Sequence, residues 1–393
     1  MPAKTAQTCQ RDTPGTPAST RRRRPPYAGA VWLTVVLAGV LIAALVVGVQ
    51  RLSAPGPRPT VVAVSLPYWN IQHGTDAVLQ NRQAVTEVSP WIYGLDSSGQ
   101  IVTQYGPGQA ELISADVRKL RAAGMQIVPS LADVTRGLWS YPPVARMLHS
   151  PALMAQQIDA IVRLVEANGY AGIDIDYEQL RAGDRQDFTT FCEDLARALH
   201  AKGKVLSVAL FAKTSDAGTS PTNVAQDYRA IGQVADQVRL MGYDYHWAGS
   251  PPGPIAPVDW LRDVLRYAKT QIPADKIVLG IPLYGYDWTG GHGTGVSWLQ
   301  ALRLSRQYHA ALHYDAQAQA PWFTYTDSAG RKHTVWFENA ASSRAKFDVA
   351  QGAGIGGVYL WMPGYEDTGT WSALRQALPV PGAGGPSAAR PSP

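Results

Sequence analysis

Short apolar runs and amphipathic stretches alternate along the middle of the chain. Eight runs rich in Val and Ile predict buried strands: 61–66, 91–95, 126–131, 171–177, 204–211, 237–243, 277–283 and 355–361. Helical periodicity between them predicts helices over 110–123, 152–167, 186–201 and 257–271. Continuous apolar strands that alternate with helices indicate a parallel sheet buried on both faces. Eight such units favour an α/β fold of the TIM (β/α)8 barrel type. A doubly wound open sheet is the alternative, although no GxGxxG motif opens a helix after the first strand.

The seventh and eighth predicted strands are too far apart in sequence to be joined by one helix. Alternating aromatic residues in 321–339 flank an Asp-Ser-Ala-Gly turn, which predicts a hairpin. We therefore predict a small α+β insertion over about 287–345, with Trp322 and Trp336 in the core of its hairpin. The glycine-rich stretch 290–295 lacks the Lys-Ser/Thr of a phosphate-binding loop and is interpreted as a flexible loop.

The N-terminal region carries a membrane signal. Residues 28–49 contain no charged side chain, and these 22 residues are enough to cross a hydrocarbon core of roughly 30 Å as a helix. Four arginines at 21–24 precede this segment, so the positive-inside rule places the N-terminus in the cytoplasm and the remainder outside. The alternative is a cleaved signal peptide and a secreted product, although such peptides have apolar regions of only about 7–15 residues.

These signals divide the chain into five parts. They are a disordered basic cytoplasmic tail at 1–27, a transmembrane helix at 28–49, a linker at 50–60, a folded domain at 61–378 and a disordered tail at 379–393. The formal net charge of +5 arises at the N-terminal end, because residues 1–27 alone carry +5, residues 28–60 add +2 and the rest is slightly acidic. This near-neutral domain argues against a nucleic-acid partner.

Cysteine and histidine usage gives no sign of a metal site. Cys9 and Cys192 lie on opposite sides of the membrane segment, so they cannot pair within one chain, and the eight His residues show no zinc spacing. We expect no cofactor, no metal and a monomer. The 12 Trp and 18 Tyr against six Phe favour surfaces that are half apolar and half wet, such as sugar-binding clefts, or alternatively a tyrosine-rich core.

The most informative segment is the acidic strand at 171–178. Alternate side chains of a strand share a face, so Asp174, Asp176 and Glu178 point one way while Ile173, Ile175 and Tyr177 point the other. In a barrel the acids face the interior, with Glu178 nearest the carboxyl-terminal rim where active sites lie. Burial and mutual repulsion raise the pKa of at least one such acid, as a general acid requires. The alternatives are acids that pair with buried arginines, or a divalent-metal site.

This segment resembles the Asp-x-x-Asp-x-Asp-x-Glu signature of family 18 glycoside hydrolases, except that Ala171 replaces the first Asp. Residues 240–244, 252–257, 276–285 and 356–361 resemble later strands and loops of the bacterial branch that includes spore-cortex-lytic and germination N-acetylglucosaminidases. Many chitinases of the family carry Ser-x-Gly-Gly on the third strand. Here Ser130-Leu131-Ala132-Asp133 keeps only the Ser, which favours the peptidoglycan-directed branch.

The resemblance implies a site and a mechanism in which the substrate supplies the nucleophile. Glu178 is implied as the general acid and base, Asp176 and Asp174 as the pair that stabilises the intermediate, and Tyr243 as a donor to the acetamido oxygen. The implied substrate-binding residues are Asp244, Met241 and Trp361. Tyr68 and Trp69 follow the first strand and Trp247 follows the sixth, where loops meet the mouth of the barrel, so these three are candidates for further sugar contacts. The alternatives are core packing for Tyr243 and Trp361, and a turn cap for Asp244.

These observations predict a membrane-anchored, extracytoplasmic glycoside hydrolase. The expected substrates are β-linked N-acetylglucosamine glycans, with peptidoglycan preferred over chitin and cleavage by a retaining, substrate-assisted route. A chitinase acting on chitin or chitooligosaccharides is one alternative. A non-catalytic sugar-binding protein on the same barrel is the other, although such proteins often lose the acid that Glu178 provides here.

Overall fold

A computed structural model describes residues 60–378 of the chain. Seventeen strands lie within these residues: β1 (Val61–Pro67), β2 (Glu87–Leu95), β3 (Ile101–Thr103), β4 (Gln126–Ile127), β5 (Ser130–Ala132), β6 (Val134–Thr135), β7 (Leu138–Trp139), β8 (Gly172–Asp176), β9 (Val205–Phe211), β10 (Gln237–Met241), β11 (Ile277–Pro282), β12 (Tyr284–Thr289), β13 (His292–Ser297), β14 (His313–Asp315), β15 (Ala320–Thr326), β16 (Lys332–Trp336) and β17 (Gly357–Trp361). The α-helices of the same region are α1 (Ile71–Gln80), α2 (Pro107–Ala122), α3 (Tyr141–Leu148), α4 (Pro151–Ala167), α5 (Arg185–His200), α6 (Pro221–Ala225), α7 (Tyr228–Val234), α8 (Val258–Ala268), α9 (Trp298–Gln307), α10 (Ala340–Ala353) and α11 (Thr370–Ala377).

Eight parallel strand positions close into a barrel. Their order is β1, β2, β4 with β5, β8, β9, β10, β11 and β17, and β17 pairs with β1 to complete the ring. The third position is split because Pro129, which has no N–H donor, lies between β4 and β5. Gly357 lets the ring close, since a Cβ there would lie 1.9 Å from the carbonyl oxygen of Val61 on β1. The prediction of a TIM barrel is therefore confirmed.

The main core lies between the barrel and its helices. Ile173, Ile175 and Tyr177 are fully buried on the outer face of β8 and its continuation. The Tyr177 ring stacks on Phe191 of α5, with ring centroids 5.9 Å apart. The alternation predicted from the sequence thus places the apolar side chains towards the helices and leaves the acidic side chains for the barrel interior.

The segment between β11 and α10 forms its own layered unit. Strands β12 to β16 make an antiparallel sheet in the order β13, β12, β16, β15, β14. Helix α9 covers one face of this sheet, where Phe323, Val335 and Phe337 form a separate core. The insertion sheet begins at Tyr284, three residues before the predicted boundary. Helix α10 packs mainly on the barrel side, against α8, α11, β11 and β17, with a smaller contact to β15 of the insertion.

Two interpretations of the insertion were wrong. The glycine-rich stretch 290–295, interpreted as a flexible loop, is the turn and first half of β13, paired with β12. Trp322 and Trp336 are not in the hairpin core. They lie directly opposite each other on β15 and β16, half-buried, on the sheet face away from Phe323. Period-2 alternation explains this, because Phe323 and Val335 take the face towards α9.

Several predicted parts lie outside the described residues: the tail at 1–27, the transmembrane helix at 28–49 and the linker at 50–60 except for residue 60. The tail at 379–393 also lies outside them. Within residues 60–378, no helix has both the length and the apolar character needed to span a membrane.

Candidate active site

The three acids predicted from the sequence lie together at the carboxyl end of β8. Asp174 and Asp176 are on the strand and almost fully buried, with 3% and 8% of their surface exposed. Glu178 follows two residues after the strand ends and is half-buried. Alternate residues of a strand are about 6.5–7 Å apart, so the acids form a ladder that rises from the barrel interior to its rim.

Asp174, the lowest acid of the ladder, has partners on both neighbouring strands. One carboxylate oxygen accepts a hydrogen bond from Ser130 Oγ at 2.8 Å, and the other accepts one from Ser207 Oγ at 2.6 Å. Both serines sit directly beside Asp174 in the strand register. Arg239 of β10 adds a cation 3.3 Å from Asp174 Oδ2. The alternative in which an acid pairs with a buried arginine is therefore correct for Asp174.

Arg239 also joins Asp174 to a buried polar floor. Its guanidinium forms an ion pair with Glu87 and donates a hydrogen bond of 2.6 Å to Ser89 Oγ, both on β2. Gln237 donates to the other oxygen of Glu87 at 2.9 Å. Arg239 is 1% exposed and Glu87 is 4% exposed, so this cluster has no access to water. Sequence reasoning missed it, because residues about 150 positions apart come together only when the barrel closes.

Asp176 occupies the middle rung in a largely apolar setting. Trp91 Nε1 donates to its Oδ2 at 2.8 Å, whereas Oδ1 is buried without a protein partner. Burial, reinforced by the charge of Asp174, raises the pKa of Asp176 to about 7. A carboxyl with an unpaired buried oxygen and a raised pKa is suited to share a proton and to accept a hydrogen bond from a bound ligand.

Glu178 is the acid at the rim. Burial is the main cause that raises its pKa well above the usual range, followed by the negative charges of Asp176 and Asp133. These effects favour the protonated form, which is the form that donates a proton to a leaving group. The raised pKa of Glu178 is the electrostatic result that the acidic pattern predicts.

Asp133 holds the backbone that carries Glu178. Its two carboxylate oxygens accept the backbone N–H groups of Glu178 at 2.9 Å and of Gln179 at 2.7 Å. The side chain is fully buried, and burial raises the pKa of Asp133 to about 6. The sequence shows this residue only as a departure from Ser-x-Gly-Gly, so its function in shaping the turn after β8 was missed.

The sixth barrel strand brings three of the predicted residues to the same site. Met241 lies in the barrel interior against Ala63 and Val278. The hydroxyl of Tyr243 is 2.8 Å from that of Tyr359 on β17. Burial, followed by the proximity of Tyr359, raises the pKa of Tyr243 well above its usual range, so the phenol stays protonated and able to donate.

Asp244 follows Tyr243 and turns towards the insertion. Its backbone φ of 55° lies in the left-handed region, which Asp tolerates better than most residues. Its Oδ1 accepts hydrogen bonds from the phenols of Tyr284 and Tyr286, and the Tyr286 bond measures 3.2 Å. Asp244 therefore links the rim of the barrel to β12 of the insertion.

Aromatic side chains border the acids. Trp69 is half-exposed, and its ring centroid is 5.5 Å from that of Trp91 and 6.5 Å from that of Trp361. Tyr68 packs in the same cluster. The remaining predicted aromatic residue, Trp247, lies apart on the loop after β10. Its ring covers Gly249, and its carbonyl accepts a hydrogen bond from Trp288 of the insertion.

The structure thus brings together the predicted acids and Tyr243, Met241, Trp361, Tyr68 and Trp69, with Asp244 at the rim. Trp247 is placed at the insertion side of the mouth. Within residues 60–378, no group of three or more His, Cys, Asp or Glu side chains is arranged to hold a metal ion. The donors that the site does contain are a carboxylic acid, phenols and an indole N–H, which suits proton transfer and the binding of a neutral polar ligand.

A parallel barrel with an acidic ladder at the end of its fourth strand and an indole beside it is the architecture of a glycoside hydrolase. Residues 137–366 match the model of glycosyl hydrolases family 18, and the chain belongs to this family. The resemblance inferred from the signature segment is therefore confirmed.

The most informative relatives fall into two groups. The cortical fragment-lytic enzyme of Bacillus subtilis is 37% identical over 240 residues, which cover 60% of this chain and 56% of that protein. The chain thus spans little more than half the length of this relative. The crystal structure of the Bacillus cereus spore cortex-lytic enzyme SleL is 28% identical with a TM-score of 0.75, covering 84% of this chain and 77% of that one. A chitinase from Chromobacterium violaceum is 31% identical with a TM-score of 0.75, covering 81% of this chain and 99% of that one.

Proposed function

We propose that this protein hydrolyses β-linked N-acetylglucosamine glycans, with Glu178 as the general acid and base. The observation that carries the proposal is the position of Glu178 at the rim of the ladder. There, burial and the charge of Asp176 raise its pKa well above the usual range. General acid catalysis of this kind contributes typically 10²–10⁴-fold to the rate.

The first step uses the substrate's own 2-acetamido group as nucleophile. Its carbonyl oxygen attacks the anomeric carbon and forms a C–O bond as the glycosidic C–O bond breaks. Glu178 gives its proton to the leaving oxygen and becomes a carboxylate. Tyr243, whose raised pKa keeps its hydroxyl protonated, donates to the acetamido oxygen and fixes its angle of attack.

The second step returns the site to its starting state. The ionised Glu178 removes a proton from water, which attacks the anomeric carbon and opens the oxazolinium ring with retained configuration. Asp176 accepts a hydrogen bond from the acetamido N–H through its unpaired Oδ1 and balances the positive charge of the ring. Asp174, held by two serines and Arg239, places its charge below Asp176 and so helps to raise the pKa of Asp176.

Peptidoglycan is the preferred glycan in this proposal. Two observations support it: the similarity to a cortical fragment-lytic enzyme, and the loss of Ser-x-Gly-Gly at 130–133. Chitin is the second candidate, because a chitinase structure aligns over 99% of its length with 31% identity. Product analysis on purified peptidoglycan, set against turnover of N-acetylglucosamine oligomers, distinguishes the two substrates.

The experiment on the mechanism is Glu178→Gln. This variant keeps the shape of the side chain but has no proton to donate, so turnover falls by about 10²–10⁴-fold while oligosaccharide binding remains. Glu111→Gln is the matched control, since Glu111 is exposed on α2 with only a surface partner, Arg118. Full activity of Glu178→Gln would remove the assignment, and binding without any turnover in the native protein would establish a sugar-binding protein instead.

The substrate-assisted route can be tested separately from the role of Glu178. A thiazoline analogue of N-acetylglucosamine should inhibit, and a substrate with hydroxyl in place of the acetamido group should not be turned over. Turnover of the hydroxyl substrate would show that a protein group is the nucleophile. Analysis of the anomer first released tests retention of configuration directly.

We also propose that the domain faces the outside of the cell, anchored by residues 28–49. The support is an uncharged segment of 22 residues preceded by four arginines. Protease added to protoplasts should remove the domain and leave it in the soluble fraction. Protection of the domain would reverse this topology, and a mature N-terminus beyond residue 49 would indicate a cleaved signal peptide.

A further inference from the structure

Four aromatic side chains cross the insertion sheet in a row. They come from four neighbouring strands and form what we call the aromatic stripe: Tyr286 on β12, Trp336 on β16, Trp322 on β15 and His313 on β14. The strand register places Tyr286 opposite Trp336, Trp336 opposite Trp322, and Trp322 opposite His313. Adjacent strands are about 4.8 Å apart, so the stripe is on the order of 14 Å long.

Three rings of the stripe contact one another in order, and Tyr286 is placed beside Trp336 by the strand register. The two indoles have centroids 5.6 Å apart and planes within 17° of parallel. The His313 ring lies 4.8 Å from Trp322 at 30°. Tyr286, Trp336 and Trp322 are half-buried and His313 is exposed, so ring surface remains accessible to solvent along the whole row.

The core of the insertion does not explain the stripe. Helix α9 covers the opposite face of the sheet, where Phe323, Val335 and Phe337 are buried. Thr324 and Thr334 face each other beside the indoles and add hydroxyl groups to the same face. A flat apolar row next to uncharged hydroxyls complements a pyranose ring, which has an apolar C–H face and a polar hydroxyl edge.

The stripe is continuous with the catalytic cleft at one end. The Tyr286 phenol donates to Asp244, which directly follows Tyr243 at the rim of the barrel. Trp336 and Tyr286 also pack in one cluster with Tyr243 and Trp361. We propose that the aromatic stripe binds the part of the glycan chain that extends beyond the sugar being cleaved. This inference rests on the proposed function for the identity of its ligand.

The test compares Trp322→Ala with Tyr314→Ala. Trp322 lies two strands from Tyr286, the residue whose phenol contacts Asp244. Tyr314 is an exposed aromatic residue next to His313 on β14, with its side chain on the other face of the strand. The probes are β-1,4-linked N-acetylglucosamine oligomers of two to six residues. In Trp322→Ala, the ratio of kcat/KM for the hexamer to that for the dimer should fall about three- to tenfold, as expected for one lost stacking contact. Tyr314→Ala should keep the native ratio.

Direct binding separates this proposal from the proposed function. In the Glu178→Gln background, calorimetry should show that Trp322→Ala weakens hexamer binding more than dimer binding, and His313→Ala provides a second variant at an exposed position. If Trp322→Ala keeps native turnover and the native ratio of kcat/KM for the hexamer to that for the dimer, the proposal for the stripe is overturned and the proposed function stands. Length-dependent binding without any turnover would overturn the hydrolase and keep the stripe. If neither the oligomers nor purified peptidoglycan are bound or turned over, both proposals are overturned.

Discussion

Asp133→Asn is the substitution for which the structure predicts the most specific outcome. The native carboxylate accepts the backbone N–H groups of Glu178 and Gln179, one on each oxygen, in a position that is fully buried. An Asn side chain has one oxygen and one NH2 group, so only one of these N–H groups keeps an acceptor. The other N–H faces the NH2 group and has no acceptor.

The cost follows from these two bonds. A buried N–H without a partner costs about 1–3 kcal/mol, and a bond to a neutral oxygen is weaker than one to a carboxylate. We expect the free energy of unfolding to fall by about 2–4 kcal/mol, measured by urea denaturation. We also expect kcat to fall about 10- to 100-fold, because the turn that positions Glu178 loosens.

The pH profile provides a second readout. The charge of Asp133 helps to raise the pKa of Glu178, so its removal lowers that pKa. Glu178 must be protonated to act as an acid, and therefore the alkaline limb of the kcat profile should move to lower pH. Asp96→Asn is the matched control, because Asp96 also accepts backbone N–H groups, at 2.8 and 2.9 Å, but on an exposed turn. If Asp133→Asn lowers the free energy of unfolding but leaves the pH profile of kcat unchanged, Asp133 has only a structural role. If the free energy of unfolding does not change, the reasoning on the unpaired N–H group is refuted.

Three further predictions concern the ladder and its support. Asp176→Asn should abolish turnover yet stabilise the fold by on the order of 2–4 kcal/mol at pH 8. The native pKa of about 7 makes ionised Asp176 costly, so this gain should vanish near pH 4, as thermal melts across pH would show. Arg239→Met should lower the free energy of unfolding by about 3–5 kcal/mol, because it leaves Glu87 and Asp174 buried without their cation. Tyr243→Phe should reduce kcat roughly 10- to 100-fold through the loss of one strong hydrogen bond, with KM little changed.

The Arg239 and Tyr243 predictions each have a control variant in the same chain. Arg266→Met removes an exposed ion pair with Asp263 and should cost no more than about 1 kcal/mol. Tyr359→Phe breaks the same phenol pair as Tyr243→Phe but removes no donor to the substrate. An equal loss of kcat in both phenylalanine variants would assign the effect to the pair itself. Two results would contradict the electrostatic account. One is a thermal melt of Arg239→Met that matches the native protein. The other is a gain in stability in Asp176→Asn that is the same at pH 4 and pH 8.

The sequence by itself determined the positions of the barrel strands and the identity of the acids. Strand alternation is a property of neighbouring residues, so the pattern at 171–178 was enough to assign Ile173 and Ile175 to the outer face and Asp174 and Asp176 to the inner one. The apolar runs located all eight barrel positions for the same reason, because burial on both faces leaves a continuous signal.

Only the tertiary structure decided which residues surround those acids. Trp91 reaches Asp176 across 85 positions of sequence, and Asp133 reaches the backbone of Glu178 across 45. Such pairs depend on which strands are neighbours and in what register, and no local period encodes either. The insertion illustrates the same limit, because its alternation was visible in the sequence. Which face of its sheet α9 would cover, leaving Trp322 and Trp336 on the open one, was fixed only when the helix packed.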